Sequence, residues 1–145
     1  MDRPAPKVFK VKDPDPDDKF SDIHPHLPQP PSLLLIIGSV KAGKSNLLVN
    51  LLCNPDMYKD KFDIVKIISN TLNADPKGKI MNKYFDCEDH YNDDMITELI
   101  ESQKKYEDFE RPTIALVLDD ILTKDFKKGN AVSFLATRFR HYGIG

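Results

Sequence analysis

The residues best suited to chemistry form the octapeptide GSVKAGKS at positions 38–45, which fills every fixed position of the phosphate-binding pattern G-x-x-x-x-G-K-[ST]. The glycines allow backbone N–H groups to turn around a phosphate, and Lys44 would reach the β- and γ-phosphates of a nucleotide. The Ser45 hydroxyl would ligate Mg²⁺. The residues predicted to bind the nucleotide are Gly38, Ser39, Val40, Lys41, Ala42, Gly43, Lys44, Ser45 and Asn46.

The sequence on either side of this loop favours the same interpretation. The apolar run LLLII at 33–37 predicts a strand buried on both faces, and SNLLVNLL at 45–52 predicts a helix that Asn54-Pro55 ends. A helix beginning at the loop adds unpaired N–H groups and the positive end of its dipole. A chance glycine turn is the alternative, and the strand–loop–helix order disfavours it.

A second candidate site follows the apolar run IALVL at 114–118, which is succeeded by Asp119-Asp120. Ligands of open α/β sheets bind at the carboxyl edge of the strands, so acids placed there would face the phosphate loop. We expect Asp119 to hold Mg²⁺ together with Ser45, and Asp120 to orient or deprotonate the water that attacks the γ-phosphate. The alternative is a strand that ends in two exposed acids.

Phosphoryl transfer depends mainly on positioning and charge neutralisation, and an arginine often completes the neutralisation. Arg138 and Arg140 are the catalytic candidates, because Arg111 precedes its strand at the far edge of the sheet. A solvated helix end is the competing interpretation for each. The sequence has no N-K-x-D run and no D-x-x-G after a strand, so GTP is disfavoured. The expected ligands are ATP and Mg²⁺.

The remaining periodicity predicts strands at 64–68 and 113–118 and helices at 93–105 and 130–139, with a loop at 73–79. Alternating strands and helices predict an α/β fold with a parallel sheet flanked by helices. Prolines are dense in 1–32, which predicts an extended arm, with a short strand at 8–11 as an option. Order is expected to begin at Leu33, so that 33–145 forms the core domain.

Composition excludes little else. The chain has 145 residues, 40% hydrophobic residues and a net charge of −2, which is typical of one ordinary domain. No apolar run is long enough to span a bilayer, so no membrane partner is expected. Cys53 and Cys87 lack a C-x-x-C spacing, which predicts free thiols in a reducing compartment. Residues 86–110 are acidic, which a solvated protein surface explains well. The following segment is basic, and a solvated surface explains it less well.

Five segments in order resemble the genome-packaging ATPases of large double-stranded DNA viruses, the poxvirus type included, within the FtsK/HerA group of P-loop NTPases. The segments are PPS at 30–32, GSVKAGKS, FDIVKIISNT at 62–71, LVLDDIL at 116–122 and TRFRHY at 137–142. The resemblance implies an ATP-hydrolysing translocase that works as a homo-oligomeric ring and packages viral double-stranded DNA into capsids. It also implies capsid components as partners and a location in the host-cell cytoplasm or the virion.

Carried onto this sequence, the resemblance makes Lys44 and Ser45 nucleotide residues, Asp119 the metal-associated acid and Asp120 the catalytic acid. It assigns Arg138 or Arg140 to a neighbouring subunit's site or to DNA.

The chain departs from the group in three ways. Asp120 stands where many relatives have glutamate, and Lys41 is a bulky cation where small residues are usual. In the group, a further strand carrying a polar sensor residue follows the R-x-R-H-Y run and inserts between the strands predicted at 33–37 and 113–118. Because the sequence ends at Gly145, we expect a C-terminally truncated core that is weakly active or inactive in isolation.

Two other functions fit the loop. One is a P-loop kinase for a nucleotide or small molecule, which should carry an arginine-bearing lid after the strand at 113–118 and would not need tandem acids. The other is an interaction module that binds ATP without hydrolysing it.

Overall fold

The computed structural model of the chain describes residues 3–7, 22–39, 41–74, 76–121 and 131–145. Its helices are α1 Lys44–Cys53, α2 Pro76–Tyr84, α3 Asp93–Lys104 and α4 Ala131–Arg138, the last followed by a 3₁₀ turn at Phe139–Tyr142. Its strands are β1 Ile64–Ser69, β2 Asp86–Glu88 and β3 Ile114–Asp119. Over the described residues they form one parallel sheet in the order β2-β1-β3. The predicted α/β class, a parallel sheet flanked by helices, is therefore confirmed.

The central strand β1 supplies core residues to both faces of the sheet. Ile67 is buried with Leu48 and Leu52 of α1, and Met81 of α2 completes this cluster. Its neighbour Ile68 belongs to the cluster on the opposite face, with contributions from α3 and α4. Alternate residues of a strand point to opposite faces, so one strand joins two helical layers. Each such buried aliphatic side chain contributes about 1.5–3 kcal/mol.

Most of the predicted elements are confirmed. Helix α1 covers the predicted 45–52, and β1 and β3 reproduce the strands predicted at 64–68 and 113–118 to within one residue at each end. Helix α3 matches the prediction for 93–105, and the side chain of its N-cap, Asn92, accepts a hydrogen bond from the Asp94 amide at 3.0 Å. Helix α4 lies within the predicted 130–139, of which residue 130 falls outside the described part.

The strand predicted at 33–37 is wrong. These residues belong to no strand, and Leu33, Leu35 and Ile37 are 70%, 77% and 83% exposed. A strand requires a neighbouring backbone with which to exchange hydrogen bonds, and a cavity separates this segment from β3. An apolar run indicates that a segment can be buried in a sheet, but its partner must also lie beside it.

The loop predicted at 73–79 is only partly correct, because α2 begins at Pro76. Proline is well suited to the first turn of a helix, where its missing N–H has no intrahelical partner. Treating Pro76 as a loop residue therefore led to the error. The three-residue β2 was too short to give a periodic signal. The strand suggested at 8–11 lies outside the described residues.

Part of the proline-rich segment packs onto the core, although order was expected to begin at Leu33. Ile23 is buried in a cluster with Leu51 of α1 and Tyr58. The Tyr58 hydroxyl donates a hydrogen bond to the Pro28 carbonyl oxygen at 2.6 Å. Residues 22–31 thus pack against the end of α1 instead of forming the predicted extended arm.

The backbone after the 3₁₀ turn pairs with β3 on the side opposite β1. The Gly145 amide donates to the Ile114 carbonyl at 2.8 Å, and the Leu116 amide donates to the Gly145 carbonyl at 2.9 Å. Ile144 forms a parallel bridge with Ile114.

Both cysteines are free thiols, as predicted, and in the described part of the chain no helix is long and apolar enough to cross a bilayer.

Candidate functional site

The glycine-rich loop turns sharply into α1. Gly43 adopts the left-handed conformation, with φ 93° and ψ 16°, and the helix begins at the next residue. Lys41 is also left-handed, with φ 64°, a conformation that costs free energy for a residue with a Cβ. The Ala42 amide donates to the Ser39 carbonyl at 3.1 Å, which closes a turn inside the loop. The loop therefore owes its shape to two left-handed residues, one of which is a glycine.

The first turn of α1 presents unpaired backbone donors. The first helical hydrogen bond is donated by the Leu47 amide to the Gly43 carbonyl at 2.9 Å. For the amides of Ser45 and Asn46, no acceptor occurs among the described residues. The first turn contains no acidic side chain, and its N-cap residue has no side chain that could satisfy them. This end of the helix consequently carries a partial positive charge that suits an anion.

The side chain of Lys44 runs back across the loop. A Cβ placed on Gly38 would lie 3.4 Å from Cγ and 3.5 Å from Cδ of Lys44, and 3.1 Å from the Ala42 Cβ. The missing Cβ of Gly38 therefore lets the loop bring Ala42 close to this glycine, with the Lys44 side chain beside it. This gives the first glycine of the pattern a steric role that does not depend on a positive φ.

Lys44 shares a cavity with both acids at the end of β3. The cavity has a volume of about 290 Å³, and its lining includes Lys44, Asp119 and Asp120. Its apolar walls come from residues 33–36 on one side and from 115–118 of β3 on the other. The structure thus brings one lysine and two aspartates to a single cavity at the carboxyl end of β3.

Hydrogen bonds from the end of β1 hold the two acids. The Ser69 hydroxyl donates to Oδ2 of Asp119 at 2.9 Å, and the Asn70 amide nitrogen donates to the Asp120 backbone carbonyl at 3.0 Å. Asp120 is left-handed, with φ 49°, and the bond from Asn70 stabilises the backbone in that conformation. The carboxyl ends of neighbouring parallel strands meet at one edge of the sheet, which brings Ser69 opposite Asp119.

Known proteins give no further guide to this arrangement. The chain matches no protein-family model, no curated protein and no solved structure. Its chemistry must therefore be inferred from the residues and their geometry.

The other described residues of the predicted nucleotide-binding loop do not line the cavity. Ser45 is half-buried in the first turn of α1 and is not part of the cavity lining; among the described loop residues, only Lys44 is. Val40 lies outside the described residues. The other predicted binding residues, Ser39, Lys41, Ala42, Gly43 and Asn46, are exposed.

The two candidate arginines lie away from the cavity. Arg138 ends α4, and its guanidinium sits 4.2 Å from the centre of the Phe134 ring. Arg140 is exposed in the 3₁₀ turn. Neither lines the cavity that contains Lys44. The structure therefore does not bring these arginines to the site of the chain that carries them.

Sequence reasoning gave no role to Ser69 and Asn70, which contact the two acids. A signal was present, because polar residues follow directly on an apolar strand that neighbours the one ending in Asp119. The order of strands in the sheet was needed to recognise it.

The charges at the cavity fit a nucleotide with its divalent cation. Within the described residues there is no group of three or more His, Cys, Asp or Glu that could hold a metal by itself. Mg²⁺ usually needs only one or two protein carboxylates, because substrate phosphates and water complete its coordination. A site with two carboxylates, an ammonium group and free helix amides has the donors that such a complex requires.

Proposed function

We propose that this chain is the nucleotide-binding core of an ATP-hydrolysing DNA translocase that packages viral double-stranded DNA, with the core built as a P-loop NTPase. The observation that carries the proposal is the single cavity lined by Lys44, Asp119 and Asp120. A lysine alone would suit many anions, and paired acids alone would suit many cations. Their combination beside a helix N-terminus suits a polyphosphate that carries a metal.

In this proposal Lys44 and the amides of Ser45 and Asn46 bind the phosphates of ATP. The ammonium and the helix amides neutralise negative charge, which is the main requirement of phosphoryl transfer. Asp119 and the Ser45 hydroxyl would hold Mg²⁺, which when bound neutralises further phosphate charge. Asp119 suits this role because it lines the cavity and is fixed by a hydrogen bond.

Asp120 is the proposed general base. Asp120 belongs to the cavity lining, and its backbone is held by Asn70. A carboxylate with a fixed backbone can accept a hydrogen bond from a water molecule and orient it. An aspartate reaches less far than a glutamate, so the water would have to lie close to the end of β3.

The DNA-packaging part of the proposal rests on the ordered resemblance of the five sequence segments and on the exposed arginines. Arg138 and Arg140 face outward near the end of α4, where a second subunit or a DNA backbone has access to them. An arginine supplied by a neighbouring subunit is a known way of completing a phosphoryl-transfer site. A ring of copies would place such an arginine next to the cavity of the adjacent copy.

Nucleotide binding by the 145-residue chain is the first test. We expect a fluorescent ATP analogue to bind the wild type in the presence of Mg²⁺, and Lys44→Ala to weaken binding by at least about tenfold through loss of a charge-assisted contact. Lys59→Ala is the matched control, because it removes an exposed lysine that lies outside the loop and does not line the cavity. Equal effects of the two substitutions would argue for non-specific attraction of the nucleotide.

Hydrolysis separates the proposed motor from the two other functions. In an assembled ring we expect ATP hydrolysis that double-stranded DNA stimulates, and loss of at least about a hundredfold in Asp120→Asn with ATP binding retained. Asparagine tolerates the left-handed backbone at this position, so the substitution removes the charge without new strain. ATP binding without turnover in the wild-type ring would favour the sensing module. Phosphate transfer to a small molecule, with no response to DNA, would favour the kinase.

A further inference from the structure

Ser69 is a polar side chain at a position where the sheet otherwise buries apolar ones. It ends β1, it is 1% exposed, and it follows the fully buried Ile67 and Ile68. In the strand register it lies directly opposite Asp119. Burying a hydroxyl costs free energy unless the hydroxyl is hydrogen-bonded, so the partners of this side chain determine what it contributes.

Those partners orient its single proton. The Thr71 amide donates to Ser69 Oγ at 3.3 Å, and the Asp119 carboxylate oxygen Oδ2 lies 2.9 Å from the same Oγ. A hydroxyl has one proton to donate, and an ionised carboxylate can only accept. The Ser69 proton therefore points at Asp119. It follows that Thr71 Oγ1, 3.3 Å from Ser69 Oγ, is the donor in that contact.

This hydrogen bond limits rotation of the Asp119 carboxylate. Oδ2 is engaged with Ser69, and Oδ1 has no hydrogen-bond partner among the described residues. Because Asp119 also lines the cavity shared with Lys44, the oxygen left over is the one available to a ligand. A carboxylate that is already oriented loses less conformational freedom when it coordinates a cation.

We propose that Ser69 is a positioning residue that orients the Asp119 carboxylate for the Mg²⁺ of the bound nucleotide. The inference rests on the proposed ATP-binding function and adds to it a residue that acts only through Asp119. Groups that hydrogen-bond to a metal ligand commonly change metal affinity by 10- to 100-fold when they are removed. The effect of Ser69 should therefore appear in the Mg²⁺ dependence of nucleotide binding rather than in binding itself.

The chain contains a matched control at the opposite end of the same pair of strands. Thr113, buried just before β3, donates through Oγ1 to the Asp63 carboxylate at 3.1 Å, just before β1. The Thr113 amide donates to the same oxygen at 2.8 Å. This is also a hydroxyl–carboxylate contact between the two segments, with a buried hydroxyl and an exposed aspartate, and neither residue lines the cavity.

The experiment titrates Mg²⁺ against the binding of a fluorescent ATP analogue by the full 145-residue chain. We expect Ser69→Ala to raise the Mg²⁺ concentration for half-maximal binding by about tenfold, with analogue affinity in EDTA unchanged. Ser69→Cys, which keeps the volume but replaces the strong donor with a weak one, should behave similarly if the alanine variant folds poorly. Ser69→Thr should restore the wild-type Mg²⁺ dependence. Thr113→Val should leave it unchanged, even if it lowers the unfolding temperature.

Each contrary result has a distinct meaning. If Ser69→Ala and Thr113→Val shift the Mg²⁺ dependence equally, or if neither does, the bond is structural and the inference fails while ATP binding stands. If the wild type binds the analogue without regard to Mg²⁺, the metal role of Asp119 fails, and the role of Ser69 with it. If the wild type does not bind the analogue at all, the proposed function itself is overturned, together with everything that depends on it.

Discussion

Gly38 lies so close to Ala42 that a Cβ added to the glycine would be only 3.1 Å from the Ala42 Cβ, whereas its 3.4 Å separation from Lys44 Cγ would be an ordinary contact. The separation from Ala42 is tight but not an overlap, so the loop would have to shift by a few tenths of an ångström. We expect Gly38→Ala to weaken binding of a fluorescent ATP analogue by several-fold while lowering stability by less than about 1 kcal/mol.

Ser39→Ala is the control for that prediction, because it changes an exposed side chain in the same loop. Gly43→Ala, by contrast, should lower the free energy of unfolding more than Gly38→Ala does. A Cβ there meets no atom within 4 Å, but φ is 93°, so the variant should lose about 1–2 kcal/mol of stability from backbone strain. Unaltered nucleotide binding in Gly38→Ala would show that the binding shape of the loop does not depend on this glycine.

Gly78 allows α2 to pack against the preceding turn. A Cβ on Gly78 would overlap the Leu72 carbonyl oxygen and lie only 3.0 Å from the Leu72 Cα, and both atoms belong to the backbone. We expect Gly78→Ala to lower the free energy of unfolding by about 1–3 kcal/mol, measured by urea denaturation, because the helix must move. Lys79→Ala, at the exposed neighbouring position, should stay within about 0.5 kcal/mol of the wild type. Similar values for the two variants would contradict the packing argument.

Gln103 ties the end of α3 to two other segments. Its side chain is 1% exposed, and its amide nitrogen donates to the carbonyls of Pro112 and Tyr142, each at 2.7 Å. Replacing it with leucine would leave both carbonyls without this donor, so we expect Gln103→Leu to lose about 2–3 kcal/mol of stability in thermal or urea unfolding. Ser102→Ala, which removes an exposed hydroxyl from the same helix, should have a small effect. A neutral Gln103→Leu would mean that water replaces the amide.

Burial raises the pKa of the Cys87 thiol, and the Asp86 carboxylate raises it further while Lys66 opposes the shift. Folding therefore favours the neutral thiol. Its contribution to stability is fully present below the pKa of the unfolded chain and is lost as the pH rises through the higher pKa of the folded chain. In a Cys53→Ser background, alkylation of Cys87 by iodoacetamide should begin at higher pH in the folded protein than in urea. Superimposable pH profiles in the two states would contradict the shift.

The elements that sequence predicted well are those whose signals are local. Helix α3 shows this most clearly, since its cap, Asn92, and its apolar spacing lie within a dozen neighbouring residues. The strands β1 and β3 were recognisable as short apolar runs bounded by polar residues. By contrast, the run at 33–37 carried an equally strong apolar signal and forms no strand, because pairing depends on what lies beside it.

The candidate site also has residues that the sequence identified and placements that only the structure showed. The glycine pattern identified Lys44, and the acids after an apolar strand identified Asp119 and Asp120, because the types and spacing of these residues are written along the chain. The lysine and the acids share a cavity because α1 packs on β1, and β1 pairs with the strand that ends in Asp119. The place of Arg138, stacked on Phe134 and away from that cavity, could not be read from its position in the sequence.

By itself, the sequence determined which residues can bind phosphate and metal and which segments can form helices and buried strands, because side-chain chemistry and periodicity are local properties. Only the tertiary structure decided that Ser69 donates to Asp119, that Asn70 holds Asp120, and that residues 33–37 stay unpaired. The two hydrogen bonds each join residues 50 positions apart, and the order and register of the strands determine which groups meet and which segment is left without a partner strand.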